Sequence, residues 1–186
     1  MARTAPTRPL SQDTRDRLVE AIVRETLTKS LSAVTITELC NAAGVSRMTF
    51  YRNFDSKEAI LKSKIDDLVE EYQRLTTPYY EEGKRWDSED YMCSYFRFMR
   101  ENSQFIDCLF RCGCSMYVQE AIAGFVNDTW GDGSVEYTFV LYAFAGSLCA
   151  SYQFWADRDF EDEPEYMAML LSRFFDPEPN PVSTGC

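Results

Sequence analysis

The sequence predicts an all-α fold: a small N-terminal three-helix unit followed by a larger helical body. Three observations carry that expectation. Apolar residues recur every three or four positions along most of the chain, and period-two alternation is scarce. Capping and stop residues punctuate these runs at short intervals. Apolar residues make up 45% of the chain and aromatic residues 15%, which suffices for a packed core and excludes wholesale disorder.

The elements follow in order. A first helix is expected from Ser11 or Asp13 to Lys29, with Leu18, Val19, Ala21, Ile22 and Leu27 on its apolar side. A second starts at Thr35 and stops at Gly44. Thr35 followed by Glu38 fits a capping box, in which each side chain satisfies a free backbone N–H of the other. Gly44 can enter the left-handed conformation that ends a helix. Ser46 can cap a short third helix ending near Phe54. Asp55 or Ser56 then caps a long fourth helix through Thr76, built on Ile60, Leu61, Ile65, Leu68, Val69 and Tyr72. Pro78 is expected to end it. Residues 79–87 read as a loop, and further helices are expected over 88–101, 103–112, 114–128, 134–156 and 164–175. Residues 1–10 (polar, basic, Pro-containing) and 176–186 (with three prolines) are expected to be a disordered arm and tail. The division is therefore 11–62 for the N-terminal domain and 63–175 for the body, coupled through the fourth helix.

Charge divides along the same boundary. The net charge is −11, but residues 1–62 carry ten basic and seven acidic residues, and residues 63–186 carry nine and twenty-three. A basic end on an acidic body suits a nucleic-acid-binding module with a separate effector domain. The first residues lack a secretory apolar run, and no uncharged apolar stretch reaches membrane-spanning length. The longest candidate, Phe139 to Phe154, carries Ser147, Ser151 and Gln153. A cytoplasmic location with no membrane partner is expected.

Seven cysteines, an odd number, include no CxxC pair, and the chain has no His. Most are expected to be reduced, buried small hydrophobes. Cys108, Cys112 and Cys114 could form a thiol sensor beside Arg111, but zinc prefers four ligands. A cysteine-dependent oxidoreductase would need a CxxC or a His partner. No catalytic residue, metal or cofactor is expected, and the chain is read as a non-enzyme.

The informative stretch is TITELCNAAGVSRMTFYRNFDSKEAIL, residues 35–61. It reads as two short helices joined by a tight Gly-containing turn, the helix-turn-helix pattern whose second helix enters the major groove. Phe50 and Phe54, four apart, share a face and can pack with Leu39, Ala43 and Val45. The opposite side then presents Arg47, Met48, Thr49, Tyr51 and Arg52. Those residue types suit a duplex groove: Arg for guanine edges, Thr and Met for thymine methyls, Tyr and Arg for phosphates.

On Leu39, Ala43, Gly44, Val45, Ser46, Thr49, Phe50, Tyr51, Phe54 and Lys57 the sequence resembles the TetR family of bacterial regulators. The wording ELCNAAGVSRMTFYRNF is most similar to a branch common in Firmicutes. The resemblance covers residues 15–62 and extends more weakly to the aromatic segment 91–110. It implies that Thr35 and Thr37 touch the DNA backbone, and that Arg47, Met48 and Thr49 read bases. It also implies that Tyr51, Asn53 and Lys57 meet phosphate or sugar. Many relatives carry His or Tyr where this chain has Asn53.

The resemblance further implies a homodimer on a double-stranded operator, formed through the last two helices, with Tyr137, Leu141, Phe144, Leu148, Met167, Leu171 and Phe174 as interface candidates. The middle helices would enclose an effector pocket, with Tyr95, Phe96, Met99, Phe110 and Tyr117 as candidate contacts. It implies a transcriptional regulator, more often a repressor, released from its operator by a small molecule. A partner protein or a thiol redox change are the alternative effectors.

Overall fold

A computed structural model describes residues 11–175; the arm and tail expected at 1–10 and 176–186 lie outside the described residues. Within them the regular elements are helical: α1 (Gln12–Glu25), a short 3₁₀ turn (Leu31–Ala33), α2 (Ile36–Ala43), α3 (Arg47–Asn53), α4 (Lys57–Glu81), α5 (Glu89–Glu101), α6 (Ser103–Arg111), α7 (Ser115–Trp130), α8 (Val135–Ala156) and α9 (Pro164–Phe175).

Local signals account for most boundaries. Ser11, Ser46, Ser88 and Ser134 each cap the helix that follows, accepting a backbone N–H three residues on. Ser56 does the same for α4, accepting from the Ala59 N–H at 3.0 Å. Helix α1 ends at Glu25, short of the expected Lys29, and Thr26 closes it by returning its N–H to the Ile22 carbonyl.

One terminator is corrected. Pro78 lies inside α4, which continues to Glu81. Proline removes the hydrogen bond to the carbonyl four residues back, here that of Arg74, but leaves later residues free to continue the helix. Just before it, the hydroxyls of Thr76 and Thr77 donate to the Tyr72 and Gln73 carbonyls, each at 2.8 Å. The actual stop is the turn at Gly83, where φ is 74° and the Lys84 N–H returns to the Tyr79 carbonyl at 3.0 Å.

The helices form two compact units. Among the described residues, the first comprises those up to Leu68 together with Gln104–Val118; the second comprises Val69–Ser103 and those from Gln119. Leu18 and Ile22 of α1, Leu39 of α2, Phe50 of α3 and Leu61 of α4 are wholly buried and form the first core. Phe105, Ile106, Cys108 and Leu109 of α6 are buried too, so the first unit contains a helix from the middle of the chain.

The second core is aromatic: Tyr91, Phe96, Phe144, Tyr152 and Trp155 are each at most 2% exposed. Trp155 meets Phe160 at 4.8 Å between ring centroids, and Phe144 meets Phe175 at 5.2 Å. The Trp155 indole N–H also donates to the carbonyl of Asp162, just ahead of α9, at 2.9 Å, so the end of α8 adjoins the start of α9 while its middle adjoins the end of α9, and the pair is antiparallel. Helix α5 is tied to α9 by the Arg97–Glu165 ion pair and to the residue just before α9 by the Arg100–Glu163 pair. Trp86, assigned to a loop by sequence, is buried against Phe144 and donates its indole N–H to the Tyr137 hydroxyl at 2.9 Å.

Candidate nucleic-acid interface

The candidate interface of the first unit is built by α2, the turn at Gly44, and α3. At the start of α2 the capping box closes in both directions. The Glu38 N–H donates to Thr35 Oγ1 at 3.2 Å, and the Thr35 N–H donates to the Glu38 carboxylate at 2.9 Å. Lys29 Nζ braces the same carboxylate at 3.2 Å and holds Glu25 at 2.9 Å. These contacts, led by the Thr35 backbone N–H, hold the Glu38 carboxyl down to about 2. Thr35 and Thr37 remain exposed beside this box.

Gly44 sets the angle between the two helices. Its φ of 65° lies in the left-handed region, and the following Val45 N–H returns to the Cys40 carbonyl at 2.8 Å. A residue with a Cβ would be strained there. Helix α3 then starts from Ser46, whose Oγ accepts the Thr49 N–H at 3.1 Å.

Phe50 fixes the roll of α3. It is wholly buried, with the Tyr51 ring edge-on at 5.3 Å and the Phe54 ring at 6.1 Å. Anchoring that side turns the other outward. Met48 is 81% exposed and Tyr51 54%, and Arg47 and Arg52 are exposed with them. The Arg47 guanidinium sits 5.9 Å from the centre of the Tyr51 ring, a cation–π contact that organises an otherwise floppy side chain.

The other three expected contacts are half-buried. Thr49 shares a 2.9 Å hydroxyl hydrogen bond with Ser46. The Asn53 amide donates to the Thr49 carbonyl at 2.7 Å, leaving its oxygen free of that bond. The Lys57 ammonium donates to the Leu31 and Val34 carbonyls, the latter at 2.6 Å. Leu31 opens the 3₁₀ turn before α2 and Val34 follows it, so Lys57 pins that turn to the start of α4. Nothing in sequence spacing identifies these acceptors. Lys29, which braces the capping box, was likewise missed; its position at the end of an expected helix offered no signal.

The expected effector contacts divide between the units. Tyr95, Phe96 and Met99 fill the second core, where the Tyr95 hydroxyl donates to the Leu148 carbonyl at 3.2 Å and Phe96 packs edge-on to Trp155. Phe110 and Tyr117 are half-buried in the first unit, with Lys62 Nζ 4.4 Å from the Tyr117 ring centre.

Most of the expected dimer contacts are packed within the chain itself. Leu141, Phe144, Leu148, Met167 and Leu171 are all buried within the chain, and Tyr137 is held by Trp86. Only Phe174, 78% exposed, faces outward. Helix α8 is apolar on every side, so helical periodicity alone could not say which side its own core takes. The outward side carries Val135, Phe139, Tyr142 and Phe154 on α8, and Tyr166, Leu170 and Phe174 on α9.

The six cysteines among the described residues are free thiols. Burial pushes Cys149 up to about 12 and pushes Cys40, Cys93, Cys108 and Cys114 upward as well. A raised thiol is a poor nucleophile, which disfavours a peroxide-type sensor at those five positions. No helix of the described residues is long and apolar enough to cross a membrane.

Capping box, glycine turn and outward basic-aromatic helix together define a helix-turn-helix unit. Residues 18–63 match the family model of bacterial regulatory proteins, tetR family. Over those residues the chain is similar to that family. It is 39% identical over 62 residues to the HTH-type transcriptional regulator EthR of Mycolicibacterium smegmatis, a match that covers 33% of this chain and 29% of that protein. The chain therefore spans under a third of the length of that relative.

Two solved structures share the fold over most of both chains. One, Lin0861 from Listeria innocua, has a TM-score of 0.72 at 16% identity and covers 91% of this chain and 97% of its own. Another, a TetR-family transcriptional regulator from Syntrophomonas wolfei, has a TM-score of 0.62 at 14% identity, with coverage of 88% and 93%.

Proposed function

We propose that the protein is a DNA-binding transcriptional repressor that grips an operator as a homodimer and releases it when a small molecule binds the helical body. The observation that carries the DNA-binding reading is the outward side of α3. Arg47, Met48, Tyr51 and Arg52 project to solvent from a helix whose opposite side is locked by Phe50. Stability alone gives a helix no reason to expose such a set. In a major groove Arg47 and Met48 reach base edges, while Tyr51, Arg52 and the exposed Thr35 and Thr37 meet phosphates. Thr49 and Asn53 serve through the groups their internal bonds leave free, and Lys57 through its remaining N–H.

Two-fold symmetry follows from the demand for affinity. Paired reading helices address half-sites about 34–36 Å, or a multiple, apart. The outward side of α8 and α9 supplies the pairing surface, because eight large apolar residues exposed on one antiparallel helix pair, Val140 among them, exceed what a monomer ordinarily leaves in water. Effector release acts as a population shift: a ligand lowers operator affinity only to the extent that it prefers the non-binding arrangement. The aromatic residues of the middle helices are the candidate contacts.

The test is binding to the DNA upstream of the protein's own gene at several salt concentrations. A groove reader loses affinity steeply, with a log–log slope of about −0.9 for each phosphate neutralised. Salt-independent binding, or no binding to any duplex at low salt, overturns the reading. A promoter fusion in cells with and without the gene then separates repression from activation.

A further inference from the structure

The turn that ends α6 brings two sulfurs together. Cys108 Sγ and Cys112 Sγ lie 3.9 Å apart. Cys108 is wholly buried and also meets the Thr26 hydroxyl of α1 at 3.3 Å, whereas Cys112 is half-exposed. The backbone of the turn is closed on both sides. The Cys112 N–H donates to the Cys108 carbonyl at 2.9 Å, and the Cys114 N–H donates to the Leu109 carbonyl at 2.8 Å. The third sulfur, of Cys114, is directed at the Cys112 carbonyl at 3.7 Å.

This arrangement selects a particular chemistry. Residues four apart on a helix keep their Cβ atoms about 5–6 Å apart, whereas a disulfide needs about 3.5–4.5 Å. Direct oxidation would have to unwind a closed turn. A bridging atom between the sulfurs relieves that mismatch. Zinc requires four ligands, and the described residues hold no group of three or more His, Cys, Asp or Glu placed for a metal ion. The matching centre is soft and takes two sulfurs while its remaining position is permanently filled.

We infer that Cys108 and Cys112 form a dithiol site for monosubstituted trivalent organoarsenicals. The half-exposed Cys112 is the point of entry, and Cys108 closes the chelate. With phenylarsine oxide the two thiols give up their protons to the oxide oxygen. Two As–S bonds form, the As–O bond breaks, and one water leaves. Arsenic stays trivalent, so no oxidant or reductant is consumed. The site does not depend on the DNA-binding reading.

The test treats the full-length, reduced protein with phenylarsine oxide and weighs it intact. The expected result is one bridging phenylarsenic group that survives excess 2-mercaptoethanol, is stripped by a 1,2-dithiol, and maps to the peptide containing both residues. Cys112→Ser and Cys108→Ala each abolish the monothiol-resistant adduct, with folding checked by circular dichroism. Cys114→Ser retains it. The inference is overturned if wild type forms only monothiol-labile adducts, if the resistant adduct persists in Cys112→Ser, or if Cys114→Ser removes it while Cys108→Ala does not.

Discussion

Single side chains in the candidate interface divide into those that hold the scaffold and those that face outward. Lys57 belongs to the first group by its contacts. Its ammonium bonds two backbone carbonyls, and hydrogen bonds to a charged group are worth about 1.5–3 kcal/mol. Lys57→Met should therefore lower the unfolding midpoint in urea as well as weaken DNA binding. An unchanged midpoint would show the ammonium is not bonded as described. Tyr51→Ala should weaken binding to all sequences alike, whereas Arg47→Ala should also relax preference at one base pair by about 1–3 kcal/mol, as read in a competition with operator variants. Glu38 gives a pH signature. Its folded carboxyl is held down to about 2 against an ordinary 4.5, so its contribution is complete above 4.5 and fades as pH falls toward 2. The difference in melting temperature between wild type and Glu38→Gln should shrink over that range; a constant difference would rule out the ionised capping box. The outward residues of α3 were legible because a cap, a glycine and two phenylalanines four apart fix the helix and its roll. The destinations of the Lys57 and Asn53 donors were not, because their partners are backbone carbonyls, which carry no sequence signal.

Whole helices show the same contrast between local and tertiary control. The caps read at Thr35 and Ser46 placed the starts of α2 and α3 well, since each is a short-range hydrogen bond. Pro78 misled because its penalty falls on the preceding turn rather than on the residues that follow. Replacing it should strengthen α4: Pro78→Ala restores a donor for the Arg74 carbonyl and should add about 1–2 kcal/mol, net of the looser unfolded chain. Chemical denaturation measures this, and a loss of stability would mean the proline shapes the helix to advantage. Helix α8 failed for another reason. With apolar residues on every side it satisfies several periodic patterns equally, and only packing against α9 and Trp86 reveals which one is internal. The same holds for Trp86, whose buried indole lies in a segment of turn-like composition.

At the level of the molecule, neighbouring positions on α8 make opposite predictions. Leu141 is wholly buried and Phe139 is 73% exposed. Leu141→Ala should cost about 2–5 kcal/mol of folding stability. Phe139→Glu should leave the circular dichroism spectrum intact and, in sedimentation, shift the protein from dimer to monomer. A wild-type protein that sediments as a monomer at micromolar concentration would remove the pairing surface from the account. The charge asymmetry of the chain was readable from sequence, as was the order of the helices. The composition of the first unit was not: it takes in Gln104–Val118 from the middle of the sequence, and only three-dimensional packing joins residues so far apart. That feature bears on protein engineering. A graft that transplants the first sixty or so codons onto a foreign sensor would leave behind the lid formed by Phe105, Ile106, Cys108 and Leu109. The bared apolar floor would invite aggregation, so a workable chimera must import both pieces or repaint that floor with polar side chains.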